Sequence, residues 1–128
     1  MSSSSMEVFC KEICTYFEKN YDENMLISLI IRDIYLNDII YLEPFDKWKE
    51  YASKKKTWED FNMDFEKKII KVCTIFDKLI DHLVNIDYKN DKKKMIMMQI
   101  LKISKFIYSK KYDVQRILNN CKSLFSVS

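Results

Sequence analysis

Glycine is absent from this 128-residue chain, which also has one alanine (Ala52), one proline (Pro44), one histidine (His82) and two arginines (Arg32, Arg116) against twenty lysines. Average usage would supply glycine at roughly 7% of residues. Glycine, alanine, proline and arginine have codons rich in G and C. The abundant Lys, Ile, Asn and Tyr have codons rich in A and T. The pattern implies an A+T-biased gene, of the kind found in large DNA viruses, apicomplexan parasites and some small bacterial genomes. Each absence excludes something. Without glycine there is no P-loop, no dinucleotide-binding fingerprint and no nucleophile elbow. Tight turns through positive φ are nearly excluded for the same reason, since only glycine enters that region without a Cβ penalty. One histidine excludes the two-histidine zinc motifs. The start, MSSSSMEVFC, has neither the basic n-region nor the apolar h-region of a secretory signal.

What is present is a core. Apolar residues make up 48% of the chain, and the length suits one domain that buries roughly two thirds of its unfolded surface. We expect a disordered start over residues 1–5 and a single α-helical domain over 6–126. The longest apolar stretch, Met25 to Leu42, has the length of a membrane span. It carries Arg32, Asp33, Asn37 and Asp38 near its centre, however, and ionisable groups at mid-bilayer are costly. A buried core helix over 25–41 is the expectation.

The rest reads as helices. Ser4 to Glu7 has capping-box spacing, and Phe9, Ile13, Tyr16 and Phe17 then mark one helical face ending near Asn20. Asp22 or Asn24 suits the cap of the second helix. Pro44 ends any helix, Phe45, Trp48 and Tyr51 suggest a short amphipathic helical turn, and Lys54–Lys56 an exposed loop. Thr57 to Asp60 suits a cap. Phe61, Phe65, Ile69, Val72, Phe76, Ile80 and Leu83 then give the strongest helical period in the chain, with a possible break near Asn62–Asp64. A loop at Tyr88–Asp91 leads to a helix with Met95, Met98, Leu101 and Ile103 or Phe106 inward. Asp113 caps a last one bearing Val114, Ile117, Leu118, Cys121 and Phe125. The predicted fold is all-α, a single-domain bundle of five to six helices around a central apolar helix.

The side chains offer little chemistry. Cys10 and Cys14 share a helical face, and Cys73 and Cys121 lie far along the chain without a C-x2-C knuckle, so buried thiols are expected and no metal or cofactor. His82 and Cys73 are nine residues apart, about 13 Å along one helix, too far to act together. Asp60, Asp64 and Glu66 read as a solvated acidic face. No enzymatic activity is expected.

Charge is uneven. Residues 1–66 carry 8 basic and 14 acidic side chains, and residues 67–128 carry 14 and 5. Attraction between the halves within one fold is the favoured reading. The alternative is an anion patch at Lys92, Lys93, Lys94, Lys110 and Lys111 for nucleic acid or anionic lipid. An aromatic cluster of Phe45, Trp48, Tyr51 and Trp58 is the best-placed surface for binding another protein, because such residues dominate interface hot spots.

The chain therefore reads as a non-enzymatic protein–protein interaction module in a reducing, cytoplasmic compartment, a viral or parasite factor acting on host signalling. A second copy of the chain is a further possible partner. In size, gene bias and central apolar helix, though in no motif, the chain resembles viral regulators of the Bcl (B-cell-lymphoma-2-like) fold. That analogy implies an all-α structure and a role in apoptosis or innate signalling. The Asn-Trp-Gly-Arg stretch of the cellular family is absent. The remaining alternative is a basic helical binder of nucleic acid or anionic membrane.

Overall fold

The computed structural model describes residues 3–19, 21–85 and 90–127, with the side chains of residues 3–7, 10 and 90–92 outside that description. The capping box at Ser4–Glu7, the side chains of Cys10 and Lys92, and most of the loop expected at Tyr88–Asp91 fall outside it. Five helices surround one core: α1 (Ser3–Glu18), α2 (Glu23–Tyr35), α3 (Phe65–Val84), α4 (Asn90–Tyr108) and α5 (Val114–Leu124). Between α2 and α3 runs an antiparallel meander of β1 (Ile39–Leu42), β2 (Lys47–Ala52) and β3 (Thr57–Asp60), in that order across the sheet.

The sheet corrects the expectation of an all-α helical bundle, and it removes the architectural basis of the Bcl-fold analogy. The long apolar stretch is not one helix. α2 stops at Tyr35, a turn follows, and the β-branched and aromatic run Ile39–Leu42 is extended. Pro44 sits in a 3-10 turn, Glu43–Phe45, that joins β1 to β2. The segment read as an amphipathic helical turn is β2, and Thr57 to Asp60, read as a cap, is β3.

The helical body is close to its pattern. α2 is buried all round from Leu26 to Ile31 and touches each of the other four helices. Asp22 caps it, accepting from the Met25 N–H at 2.8 Å. On α3 the expected stripe is inside, with Phe65, Ile69, Val72, Phe76 and Leu83 buried and Ile80 partly so. Its cap is Asp64, which accepts from Lys67 N–H at 3.1 Å, so Phe61 precedes the helix. Asp113 caps α5, whose Ile117 and Cys121 are buried, with Phe125 just beyond. α4 differs in phase. Ile96, Ile100, Ile103 and Ile107 face the core, whereas Met95, Met98 and Leu101 face solvent.

Turns form without glycine. Asp46, Lys56 and Lys110 take φ of 48°, 56° and 54°. Lys110 closes α4: its N–H bonds to Ile107 C=O at 3.0 Å, and Lys111 N–H to Phe106 C=O at 3.2 Å. That is the Schellman arrangement, whose left-handed position usually holds glycine. The expectation that such turns are nearly excluded is therefore overturned. The chain makes them with lysine and aspartate and carries the Cβ penalty of about 1–2 kcal/mol per site.

Candidate protein-binding surface

The sheet has one buried and one exposed face. Ladder pairing puts Tyr41 opposite Trp48, and Tyr51 opposite Trp58. Alternation then places Ile39, Tyr41 and Trp48 inward, and Ile40, Leu42, Lys47, Lys49, Tyr51, Trp58 and Asp60 outward. The inner set bolts the sheet to the helical body. The Trp48 ring lies 4.8 Å from Tyr41, 5.6 Å from Phe65 at the start of α3 and 5.9 Å from Phe125 after α5. The outer set keeps an aromatic pair in the open. The Tyr51 and Trp58 rings are 5.3 Å apart, and each residue is 40% exposed.

Of the four aromatics singled out in the sequence, the structure therefore brings two together on one surface. Trp48 anchors the opposite face, and Phe45 projects alone from the β1–β2 turn, 69% exposed. Charge fixes the outer face around the pair. Asp60 binds Lys49 at 2.7 Å and Lys47 at 3.8 Å, while Glu59, on the other face by alternation, binds Lys55 at 3.3 Å. The hydrogen bond from Lys49, with its positive charge, holds the Asp60 carboxyl below the usual carboxylate range.

The two edges of the sheet differ. The outer edge of β1 is closed by the C-terminal segment: Tyr41 N–H bonds to Phe125 C=O at 3.0 Å, and Val127 N–H to Tyr41 C=O at 3.1 Å. β3 is the last strand on the other side, with none beyond it among the described residues. Phe61 N–H bonds to Trp48 C=O. That sets the ladder phase, so the backbone groups of Trp58 and Asp60 point away from β2, along a free edge. Beside the Asp60 end opens a cleft of about 620 Å³ with an apolar floor of Trp48, Phe61, Phe65 and Leu118.

The expected anion patch is not one patch. Lys93 and Lys94 stand at the start of α4, and Lys110 and Lys111 follow its end, about 24 Å away at 1.5 Å rise per residue. Lys93 is turned onto the Val84 carbonyl at 3.4 Å, at the end of α3. Other basic residues of the second half bridge to acids of the first: Arg116 to Asp22 at 2.6 Å, Lys122 to Asp46 at 3.2 Å and Lys102 to Glu23 at 3.6 Å. Among the described residues, three of the fourteen basic side chains of the second half thus pair with acids of the first.

Sequence reading missed one polar cluster. Tyr16 on α1 donates its hydroxyl to Asp33 on α2 at 2.5 Å, and Arg32 donates to the same Tyr16 oxygen at 2.7 Å. Burial first, then Asp33, pushes the Tyr16 hydroxyl well above its ordinary value. Glu12, which shares the surrounding cleft, is raised by burial and by Asp33. Tyr16 read as a core position and Arg32–Asp33 as stray charges. No local spacing links residues on separate helices.

The remaining candidates stand apart. Asp64 is a helix cap and Asp60 a strand ion pair, so they form no acid–base couple. Cys73 and Cys121 are buried thiols on different helices, and burial pushes the Cys121 thiol up to about 12. His82 is partly buried, and its Nε2 finds no hydrogen-bond partner among the described residues. Among those residues no three His, Cys, Asp or Glu side chains gather where they would hold a metal ion, and no helix is long and apolar enough to cross a membrane. Comparison with protein-family models, curated proteins and solved structures gives no match.

Proposed function

We propose that this chain is a non-catalytic protein-binding module that works in a reducing, cytoplasmic compartment. Its contact surface is the outer face and free edge of the β1–β3 sheet. The observation that carries this reading is the exposed Tyr51–Trp58 pair beside a strand edge that is unpaired among the described residues. An edge strand supplies backbone donors and acceptors to an added strand, and flanking aromatics supply desolvated contact area.

The test is affinity capture from cells producing the protein, wild type beside Tyr51→Ala/Trp58→Ala. Proteins held by the wild type should be lost from the double variant, which should stay folded with its melting temperature lowered by only a few degrees. A Lys93→Glu/Lys94→Glu/Lys110→Glu/Lys111→Glu variant should keep them at physiological salt. The opposite ranking, with binding that falls steeply as salt rises, would replace this reading with anion binding.

A further inference from the structure

We infer that two copies of this chain pair through their β3 edges, antiparallel and two-fold symmetric, with Trp58 opposite Trp58 of the second copy. The inference uses the same surface as the proposed module but does not require that another partner exist.

The argument begins with the order of charges. From residue 54 the strand and its approach read Lys-Lys-Lys-Thr-Trp-Glu-Asp: basic at one end, acidic at the other, tryptophan between. A parallel neighbour would set lysine against lysine and acid against acid. An antiparallel copy sets each end against its opposite, so the edge accepts one relative direction and rejects the other.

Backbone phase then narrows the register. A new strand bonds only to outward-pointing groups, here those of Trp58 and Asp60. Pairing Trp58 with the second copy's Asp60 would place Glu59 directly against Glu59. Pairing Asp60 with Asp60 sets carboxylates face to face. Pairing Trp58 with Lys56 shifts the contact into the turn, where Lys56 has φ of 56°. Trp58 against Trp58 avoids both carboxylate clashes and keeps the central pair on the strand, with Lys56 only in the flanking pairs. It places Lys56 opposite the second copy's Asp60, and Thr57 opposite Glu59.

That register also fills out the surface. The two Tyr51–Trp58 pairs meet across the dyad as one strip of four rings on a six-stranded sheet, twice the area either copy offers alone. The lysine tip of each copy reaches the mouth of the other's cleft, where Asp60 and Asp46 line the rim and Phe61 the floor. Lysine stems cover such aromatic surface while their ammonium groups stay solvated.

Sedimentation velocity on the full chain, from micromolar to millimolar concentration, tests this. The wild type should pass from monomer to dimer. Lys56→Glu and Asp60→Lys should each weaken the dimer about tenfold, because each creates two like-charge contacts across the dyad. An equimolar mixture of the two variants should dimerise again, since both crossed pairs then have opposite charges. Because Asp60→Lys also disturbs the bridge to Lys49, Trp58→Pro is the second variant. It removes an outward N–H that β2 does not use, and should give a monomer with its helical circular dichroism intact. A wild type that stays monomeric throughout overturns the inference, as does a dimer unmoved by these substitutions or a mixture that fails to recover. A monomeric wild type that still captures another protein through Tyr51 and Trp58 would leave the proposed module standing.

Discussion

The helical body and the three-stranded sheet bury their apolar residues differently. In the body, isoleucines recur at helical spacing and many are fully covered: Ile27, Ile30, Ile31, Ile69, Ile100 and Ile117 are each 0% exposed. The sheet has one face packed on the body through Ile39, Tyr41 and Trp48, and an opposite face where Tyr51 and Trp58 stay half in water. The body is built to be stable. The sheet is built so that stability uses one face and leaves the other available.

Substitutions can break that contrast in graded steps. The largest effect belongs to the body. Phe76→Ala empties a fully buried site on α3 and should cost about 3–5 kcal/mol in chemical denaturation. Trp48→Ala is the corresponding cut on the sheet. Because Trp48 is partly buried, a loss of about 2–3 kcal/mol is expected, with the sheet's amides exchanging before those of α3. Should Trp48→Ala prove as mild as a surface change, the sheet is not bolted on as described.

Smaller effects sharpen the contrast. Lys110→Gly relieves the left-handed closure of α4 and should raise stability by about 1 kcal/mol. Asp46→Gly should bring no such gain, because the Asp46 carboxylate accepts from the Tyr41 hydroxyl and pairs with Lys122. Trp58→Ala should cost below about 1 kcal/mol, the worth of one cross-strand aromatic contact, with thermal melting as the check. Last comes acid. Asp60 and Asp46 have folded pKa values below the ordinary 3.8. A carboxyl depressed by folding contributes stability above its unfolded value and loses it as pH falls through the folded one. The sheet's amide signals should therefore shift below about pH 4, before those of the isoleucine core.

Legibility followed the same divide. The α3 stripe was readable because its spacing repeats over twenty residues. α4 was readable as a helix but not in phase. Its apolar residues form two interleaved sets, Met95/Met98/Leu101 and Ile96/Ile100/Ile103/Ile107, and only the neighbouring helices choose between them. The strands were illegible because β1 and β3 are four residues long, too short for alternation to outweigh a helical turn. Phe45, Trp48 and Tyr51 show the trap. A step of three keeps residues on one face of a helix but sends Trp48 and Tyr51 to opposite faces of a strand. The same step explains the candidate site: its residue types pointed to a sticky surface, and the backbone divided them between glue and display.

The closure of β1 by residues 125–127 has a consequence for the order in which the molecule is made. Synthesis delivers the meander before the segment that seals it, at about 5–20 residues per second. For the seconds between, Tyr41's amide and carbonyl have no partner, and a nascent chain on the ribosome shows two open borders instead of one. A growing neighbour on the same message shows the same borders. The interval rewards whatever keeps such borders apart until Phe125 arrives.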